Sequence, residues 1–182
     1  QMKVDILAFG AHPDDVELGC GGTLSLLVEQ GKTVAIVDLT KGELGTRGTD
    51  KTRAEEAANA SKILGVSDRV NLGLPDGFLE NRKDYQMEMV KMIRKFQPEI
   101  VLANAIEDRH PDHAKGAKLA SDACFLSGLV KIETSLDNGP QKPWRPKQVF
   151  NYIQWKEIKP DFVIDITSHM EKKIEACLAY KT

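Results

Sequence analysis

The sequence predicts an α/β fold, with a mostly parallel sheet, helices on both faces and a smaller, irregular C-terminal section. Three observations carry this expectation. Apolar runs alternate with helix-length patterns from residue 4 to residue 127. The connections between them are short, as in sheets built from βα units. Three prolines in "DNGPQKPWRP" (137–146) mark a surface loop that separates this regular part from the C-terminal section.

The elements run in order along the chain. "VDILAF" (4–9) is a buried strand. Val16 to Gln30 reads as a helix with Leu18, Leu24, Leu26, Leu27 and Val28 as apolar members, and Gly31 closes it. "TVAIVDL" (33–39) is a second strand. Arg53 to Leu64 is a helix stopped by Gly65, and "RVNLGL" (69–74) is a third strand. Tyr85 to Phe96 carries Met89, Val90, Met92, Ile93 and Phe96, and ends before Pro98. "EIVLAN" (99–104) is a fourth strand, and Pro111 opens a helix over 111–127. "KQVFNYIQ" and "DFVIDI" (161–166) read as later strands, and the chain from Thr167 as a helix.

Composition narrows the function. The 182 residues suffice for one domain with a sizeable core. A formal charge of −2 gives no basic excess to neutralise a phosphate backbone, which argues against nucleic acid. No apolar run approaches the roughly 20 residues of a membrane span. Gln1 in first position reads as a trimmed or tagged start. Three cysteines, an odd count without a CxxC, fit a reducing cytoplasm better than a disulfide scaffold. Cys20, Cys124 and Cys177 read as core residues.

In parallel sheets the working site lies at the carboxyl ends of the strands. The four most polar loops fall on that edge: "HPDD" (12–15), "DLTKGELGTRGT" (38–49), "LPDG" (74–77) and "AIEDRHPDH" (105–113). Three of the four histidines sit in two copies of a His-Pro-Asp motif, "HPDD" (12–15) and "HPDH" (110–113). Each copy follows a strand and opens a helix, so folding brings two or three imidazoles against several carboxylates. A divalent cation would offset the repulsion of the adjacent acids. Mixed nitrogen and oxygen ligation suits zinc, with three protein ligands and water in a catalytic site. The nominated ligands are His12, Asp15 and His113, which leaves Asp14 free beside the cation's water. Iron(II) suits the same ligands.

Plainer readings stand beside these. A single His-Pro-Asp can be an acid-capped turn, and one acid at a helix start can complement the helix dipole. Two copies at matching strand ends are harder to explain that way. His169 lacks such a context and reads as a surface or capping residue. "GCGG" (19–22) does not match a dinucleotide fingerprint, and Gly21 and Gly22 read as room for close packing of the first helix against the sheet. Arg53 either faces the substrate or is a surface residue paired with Glu56. Asp76 can hold a substrate hydroxyl or simply form a PDG turn, and Glu43 is similarly open. "WRPK" (144–147) reads as a surface loop.

"AHPDDVELGCGGTL" with "HPDH" about a hundred residues later resembles the PIG-L/LmbE-type zinc N-deacetylases. "DLTKGELGTRGT", Arg53 with "EEAANASKILGV" behind it, and "LGLPDG" extend the likeness over most of the chain. The branch most similar in feel removes acetyl from N-acetylglucosaminyl malate in bacillithiol biosynthesis. The resemblance implies a Rossmann-like fold and zinc on His12, Asp15 and His113. It implies Asp14 as general base, a protonated His110 as oxyanion stabiliser, Asp112 orienting His110, and Arg53 on the substrate side. It also implies a cytoplasmic homo-oligomer, a hexamer in this branch, acting on a small amino-sugar conjugate. The family pattern continues past residue 182, and "ACLAYKT" (176–182) reads as a helix interrupted midway. Residues 1–182 are therefore expected to form one domain without the family's C-terminal end. Two other functions compete: a metal-dependent hydrolase of phosphate esters or peptides, and a non-enzymatic sugar- or nucleotide-binding module.

Overall fold

A computed structural model describes residues 2–137 and 139–182. Gln1 lies outside them, as does Asn138 of the proline-rich loop. In chain order the elements are β1 (Ile6–Gly10), α1 (Asp15–Glu29), β2 (Val34–Thr40), α2 (Asp50–Leu64), β3 (Asp68–Leu74), α3 (Lys83–Phe96) and β4 (Ile100–Ala103). Beyond these come α4 (Pro111–Leu126), β5 (Ser135–Leu136), β6 (Gly139–Pro140), β7 (Gln148–Asn151), a 3₁₀ turn (Thr167–His169) and α5 (Met170–Leu178).

Five strands form one parallel sheet in the order β3-β2-β1-β4-β7. Every residue of β1 and β2 is buried, as continuous apolar strands covered on both faces must be. On one face α3 and α4 pack Met89, Ile93, Phe96 and Leu119 against Leu7, Phe9 and Val37. On the other, α1 packs Val16, Cys20 and Leu24 against Ile6, Ala8 and Ile36. α5 lies outside α1 and α2, with Ala176 buried against Ala60 and Leu64.

The strand order reverses at β1. Its neighbours are β2, next in sequence, and β4, reached by a long crossover. The loops leaving β1 and β4 therefore diverge to opposite sides and open a crevice between them, where ligands of open α/β sheets bind. Both His-Pro-Asp motifs occupy those two loops. Their convergence is a consequence of topology alone.

Several details differ from the sequence expectation. "DFVIDI" is not a strand: among the described residues the sheet ends at β7, and residues 161–166 pair with no strand. Phe162 instead meets Phe150 of β7 edge-on at 5.2 Å, and Asp165 accepts the amide and hydroxyl of Thr167 to start the 3₁₀ turn. The loop expected over 137–146 contains half of the small β5–β6 ribbon. Trp144 is half-buried there, donating its indole N–H to Pro98 at 2.7 Å. Cys20 and Cys124 are buried, whereas Cys177 is only half-buried.

The glycine contacts also shift. A Cβ on Gly19 would lie 2.3 Å from the Tyr152 ring and one on Gly22 would lie 2.5 Å from Ile166, while one on Gly21 would make ordinary contacts. Gly19 and Gly22, not Gly21, permit the close approach, and the segment that approaches is the chain after β7. The Tyr152 hydroxyl then reaches β1, donating to the Phe9 carbonyl at 2.7 Å.

His169 is buried rather than on the surface. Its Nδ1 lies 2.8 Å from the Ser25 hydroxyl and its Nε2 lies 3.1 Å from Glu29. The order Ser–His–Glu imitates a hydrolase triad, but Ser25 is buried in the middle of α1. The trio clasps the 3₁₀ turn to α1. α5 stops at Leu178, and the last residues dock: Tyr180 on Glu17, and Lys181 and Thr182 on Glu56.

Candidate metal centre and active site

The chain leaves β1 through Ala11 and turns sharply at Asp14. Asp14 has φ of 117°, a region that side-chain-bearing residues rarely occupy. Strain of this kind costs about 1–3 kcal/mol and persists where the surroundings fix it. Asp15 then opens α1 and turns back, its carboxylate accepting the His12 amide at 2.9 Å. On the other loop His110 caps α4, Pro111 takes the first turn, and His113 lies in that same turn.

The three imidazoles meet. Ring centroids are 4.6 Å apart for His12 and His110, 4.9 Å for His110 and His113, and 5.5 Å for His12 and His113. Two sets of ligand-type atoms lie within 4.8 Å of one another: His12, His110 and His113, and His12 with Asp76 and Asp112. Asp15 touches two of the imidazoles, at 3.5 Å from His12 Nδ1 and 3.2 Å from His113 Nε2. The nominated ligands are thus contiguous, and His110 adds a further nitrogen beside them.

Each outer imidazole is held by its far nitrogen. His113 Nδ1 sits 2.5 Å from Asp108. His12 Nε2 sits 3.0 Å from Asp76 and 3.2 Å from Asp112. A carboxylate behind a histidine fixes its tautomer and aims its other nitrogen, the usual support of a metal-binding imidazole. The Asp15 carboxylate then lies between His12 Nδ1 and His113 Nε2, outside both sets of mutually close ligand atoms. This donor chemistry fits a divalent cation.

The electrostatics agree. Burial is the largest influence on His12 and pulls its pKa down, but Asp15, Asp76 and Asp112 together lift it to about 9. His113 is opposed by burial and raised by Asp15 and Asp108. Burial alone would raise Asp15, yet the two imidazoles hold it well below the usual carboxylate range. Burial, joined by the charge of Asp15, pushes Asp14 up to about 7.

The other predicted residues have clear positions. Arg53 Nη1 donates to the Pro13 carbonyl at 3.2 Å and stands 3.7 Å from Asp14, so its partner is the metal loop and not Glu56. A cleft of about 390 Å³ opens beside it, lined by Pro13, Lys41, Arg53 and Arg69. Asp76 is turned inward, holding His12 and accepting the Leu44 amide at 2.9 Å. Glu43 accepts the Asp76 amide at 2.9 Å and so braces the same turn.

The Asp112 carboxylate does not reach for His110. It accepts the Gly77 and Leu79 amides at 2.7 and 3.2 Å and faces His12. His110 is tied to Asp112 through the backbone, its Nδ1 accepting the Asp112 amide at 3.2 Å. A nitrogen that accepts has no proton, so the His110 proton sits on Nε2. Burial, with the neighbouring His12 and His113, lowers the His110 pKa. The neutral ring is therefore favoured, in place of the protonated one expected from sequence.

Three supporting residues lack a role in the sequence reading. Asn104 and Gln154 each donate to Asp15 at 3.0 Å, and Asp108 holds His113. Asn104 and Gln154 end "EIVLAN" and "KQVFNYIQ", so the strand-end rule that located the loops also reaches them.

Fold and site together define a class: an α/β protein with a polar His/Asp centre at the switch point of a parallel sheet. Within that class the chain belongs to the PIG-L family, described as GlcNAc-PI de-N-acetylase, whose model matches residues 7–124. It is 30% identical to diacetylchitobiose deacetylase of Thermococcus kodakarensis, over 97% of this chain and 69% of that protein. It superposes on the conserved protein TT1542 from Thermus thermophilus with a TM-score of 0.92 at 38% identity, covering 98% of this chain and 79% of that one. A 4-oxalmesaconate hydratase of Pseudomonas putida is 29% identical over 95% of this chain and 72% of its own length. Other relatives include probable N-acetyl-alpha-D-glucosaminyl L-malate deacetylases of Bacillus species. Among the described residues, no helix is long and apolar enough to cross a membrane.

Proposed function

We propose that the chain is a zinc-dependent deacetylase that hydrolyses the acetamide of an N-acetylglucosamine conjugate, releasing acetate and the free amine. The observation that carries this reading is the contact of Asp14's loop with three imidazoles, two of them backed by carboxylates. His12, Asp15 and His113 would hold the cation, zinc or iron(II). When bound, it polarises the acetamide and makes water nucleophilic near neutral pH.

The chain's own residues do the rest. Asp14, whose pKa of about 7 suits a group that takes and returns a proton near neutrality, accepts the proton of the attacking water. It then delivers that proton to the departing amine. His110 donates from Nε2 to the carbonyl oxygen as charge grows there. Such a donor is worth about 2.7–4 kcal/mol of barrier lowering. Arg53 steadies the Pro13–Asp14 turn from the substrate side. Asp76 and Asp112 keep His12 aimed.

The sequence resemblance sets malate on the sugar, whereas the Thermococcus relative is named for a disaccharide. The choice between them turns on the residues around the mouth of the site. A cytoplasmic location and a homo-oligomer, hexameric as in the bacillithiol branch, belong to the same proposal. The test is acetate release from N-acetylglucosamine conjugates with and without added zinc. Zinc-dependent acetate supports the reading. Phosphate release from esters, or hydration of an unsaturated acid without any acetate, would replace it.

The protonated site makes a second expectation. A cation must displace the proton from His12, and its affinity should rise about tenfold per pH unit while that imidazole remains protonated. Competition with a chelator between pH 6 and pH 8 measures this. A flat profile would mean that the cation displaces no proton from His12.

A further inference from the structure

Large apolar side chains rarely stand exposed on loops without a reason when they gather at one place. Here four stand exposed on loops at the sheet edge that carries the histidines. Leu44 is 62% exposed, Phe78 68%, Ile106 64% and Trp155 74%. They come from four different loops, after β2, β3, β4 and β7.

Their attachment to the site is specific. The Leu44 amide donates to Asp76, which holds His12. Phe78 lies between two amides, of Gly77 and Leu79, that both donate to Asp112, which also holds His12. Trp155 precedes Lys156, whose amide donates to Asp108 at 3.3 Å, and Asp108 holds His113. Ile106 is two residues before Asp108. Leu44 further lies against the Gly77 turn, where a Cβ would come within 3.0 Å of its methyl. Leu44, Phe78 and Trp155 are therefore tied through the local backbone to acids that position imidazoles, and Ile106 shares the loop of Asp108. The Trp155 ring is steadied in turn by the Arg109 guanidinium, 4.8 Å from its centroid.

We propose that these side chains, with Trp155 as the principal one, form a binding platform for a second sugar ring of the substrate, beyond the acetylated one. This rests on the deacetylase reading. A pyranose offers an apolar C–H face to an aromatic ring and an edge of hydroxyls to polar neighbours. Such a ligand matches apolar residues set on separate loops, with Glu43 and Arg109 on two of the same loops. A lipid chain would need a continuous trough. Near this rim Lys156 is paired with Glu107, Arg53 faces Asp14, and Arg109 lies on Trp155.

The test compares kcat/KM for N,N'-diacetylchitobiose, N-acetylglucosamine and N-acetylglucosaminyl malate in the wild type, Trp155→Ala and Trp155→Phe. Trp155 is exposed, so neither variant should disturb folding. The expected wild-type order places the disaccharide first. The ratio of disaccharide to monosaccharide kcat/KM should fall about tenfold in Trp155→Ala, mainly through KM, and recover largely in Trp155→Phe. Acetate release with an unchanged ratio, or a wild-type preference for the malate conjugate, would overturn the platform alone. No acetate from any of the three would overturn the deacetylase reading and the platform with it.

Discussion

Asp14→Asn is expected to keep its bound cation and lose about 10²–10⁴-fold in kcat, the range that a positioned acid–base group contributes. The substitution preserves shape and removes only the ability to take a proton. Asp14 is not among the proposed ligands; those are the neighbouring Asp15, His12 and His113, of which Asp15 contacts both imidazoles. The Asp14 carboxylate makes no cap hydrogen bond to the helix that Asp15 opens and stands 3.7 Å from Arg53 Nη1. Asparagine tolerates positive φ about as well as aspartate, so the turn should survive. Acetate release and metal content, measured on the same preparation, check the prediction. A kcat within a few-fold of wild type would remove Asp14 from the chemistry.

The largest stability effect is expected at Arg69, a residue outside the reacting centre. Its guanidinium binds Asp38 through two nitrogens at 2.7 and 2.8 Å, Glu17 at 2.5 Å, and the Ala57 carbonyl and Ser61 hydroxyl at 3.2 Å. It thereby joins β3 to β2, α1 and α2. Glu17 and Asp38 are both buried, and one Glu17 oxygen has no hydrogen-bond partner among the described residues. Arg69→Met keeps much of the stem and removes the charge, leaving two buried acids without a cation. Breaking a buried pair in this way costs about 3–5 kcal/mol. Urea unfolding should show the loss. A shift below about 1 kcal/mol would mean that water or rearrangement satisfies the two acids.

The sequence and structure agree most closely where physics is local or topological. β1 and β2 are legible because a strand covered on both faces must be apolar throughout. The meeting of His12 with His113 is legible because matched strand ends share one edge. Partnership is the property that sequence does not display. "DFVIDI" has the composition of a strand but no neighbour to bond. His169 appears isolated because Ser25 and Glu29 are about 140 residues away. Asp112 sits close to His110 in sequence, yet its carboxylate turns to Gly77, Leu79 and His12, because the β3–α3 loop presents two amides that need an acceptor. Asn104 and Gln154 carry no charge and belong to no motif, so their hold on Asp15 emerges only when the strand ends assemble.

Zinc content after dialysis, compared between the wild type and His12→Ala, tests the central claim most directly. The proposed ligation by His12, Asp15 and His113 predicts about one equivalent in the wild type, as in three-ligand catalytic sites. It predicts near-complete loss in His12→Ala, with the fold intact by circular dichroism. A full equivalent retained by a folded His12→Ala protein would contradict it.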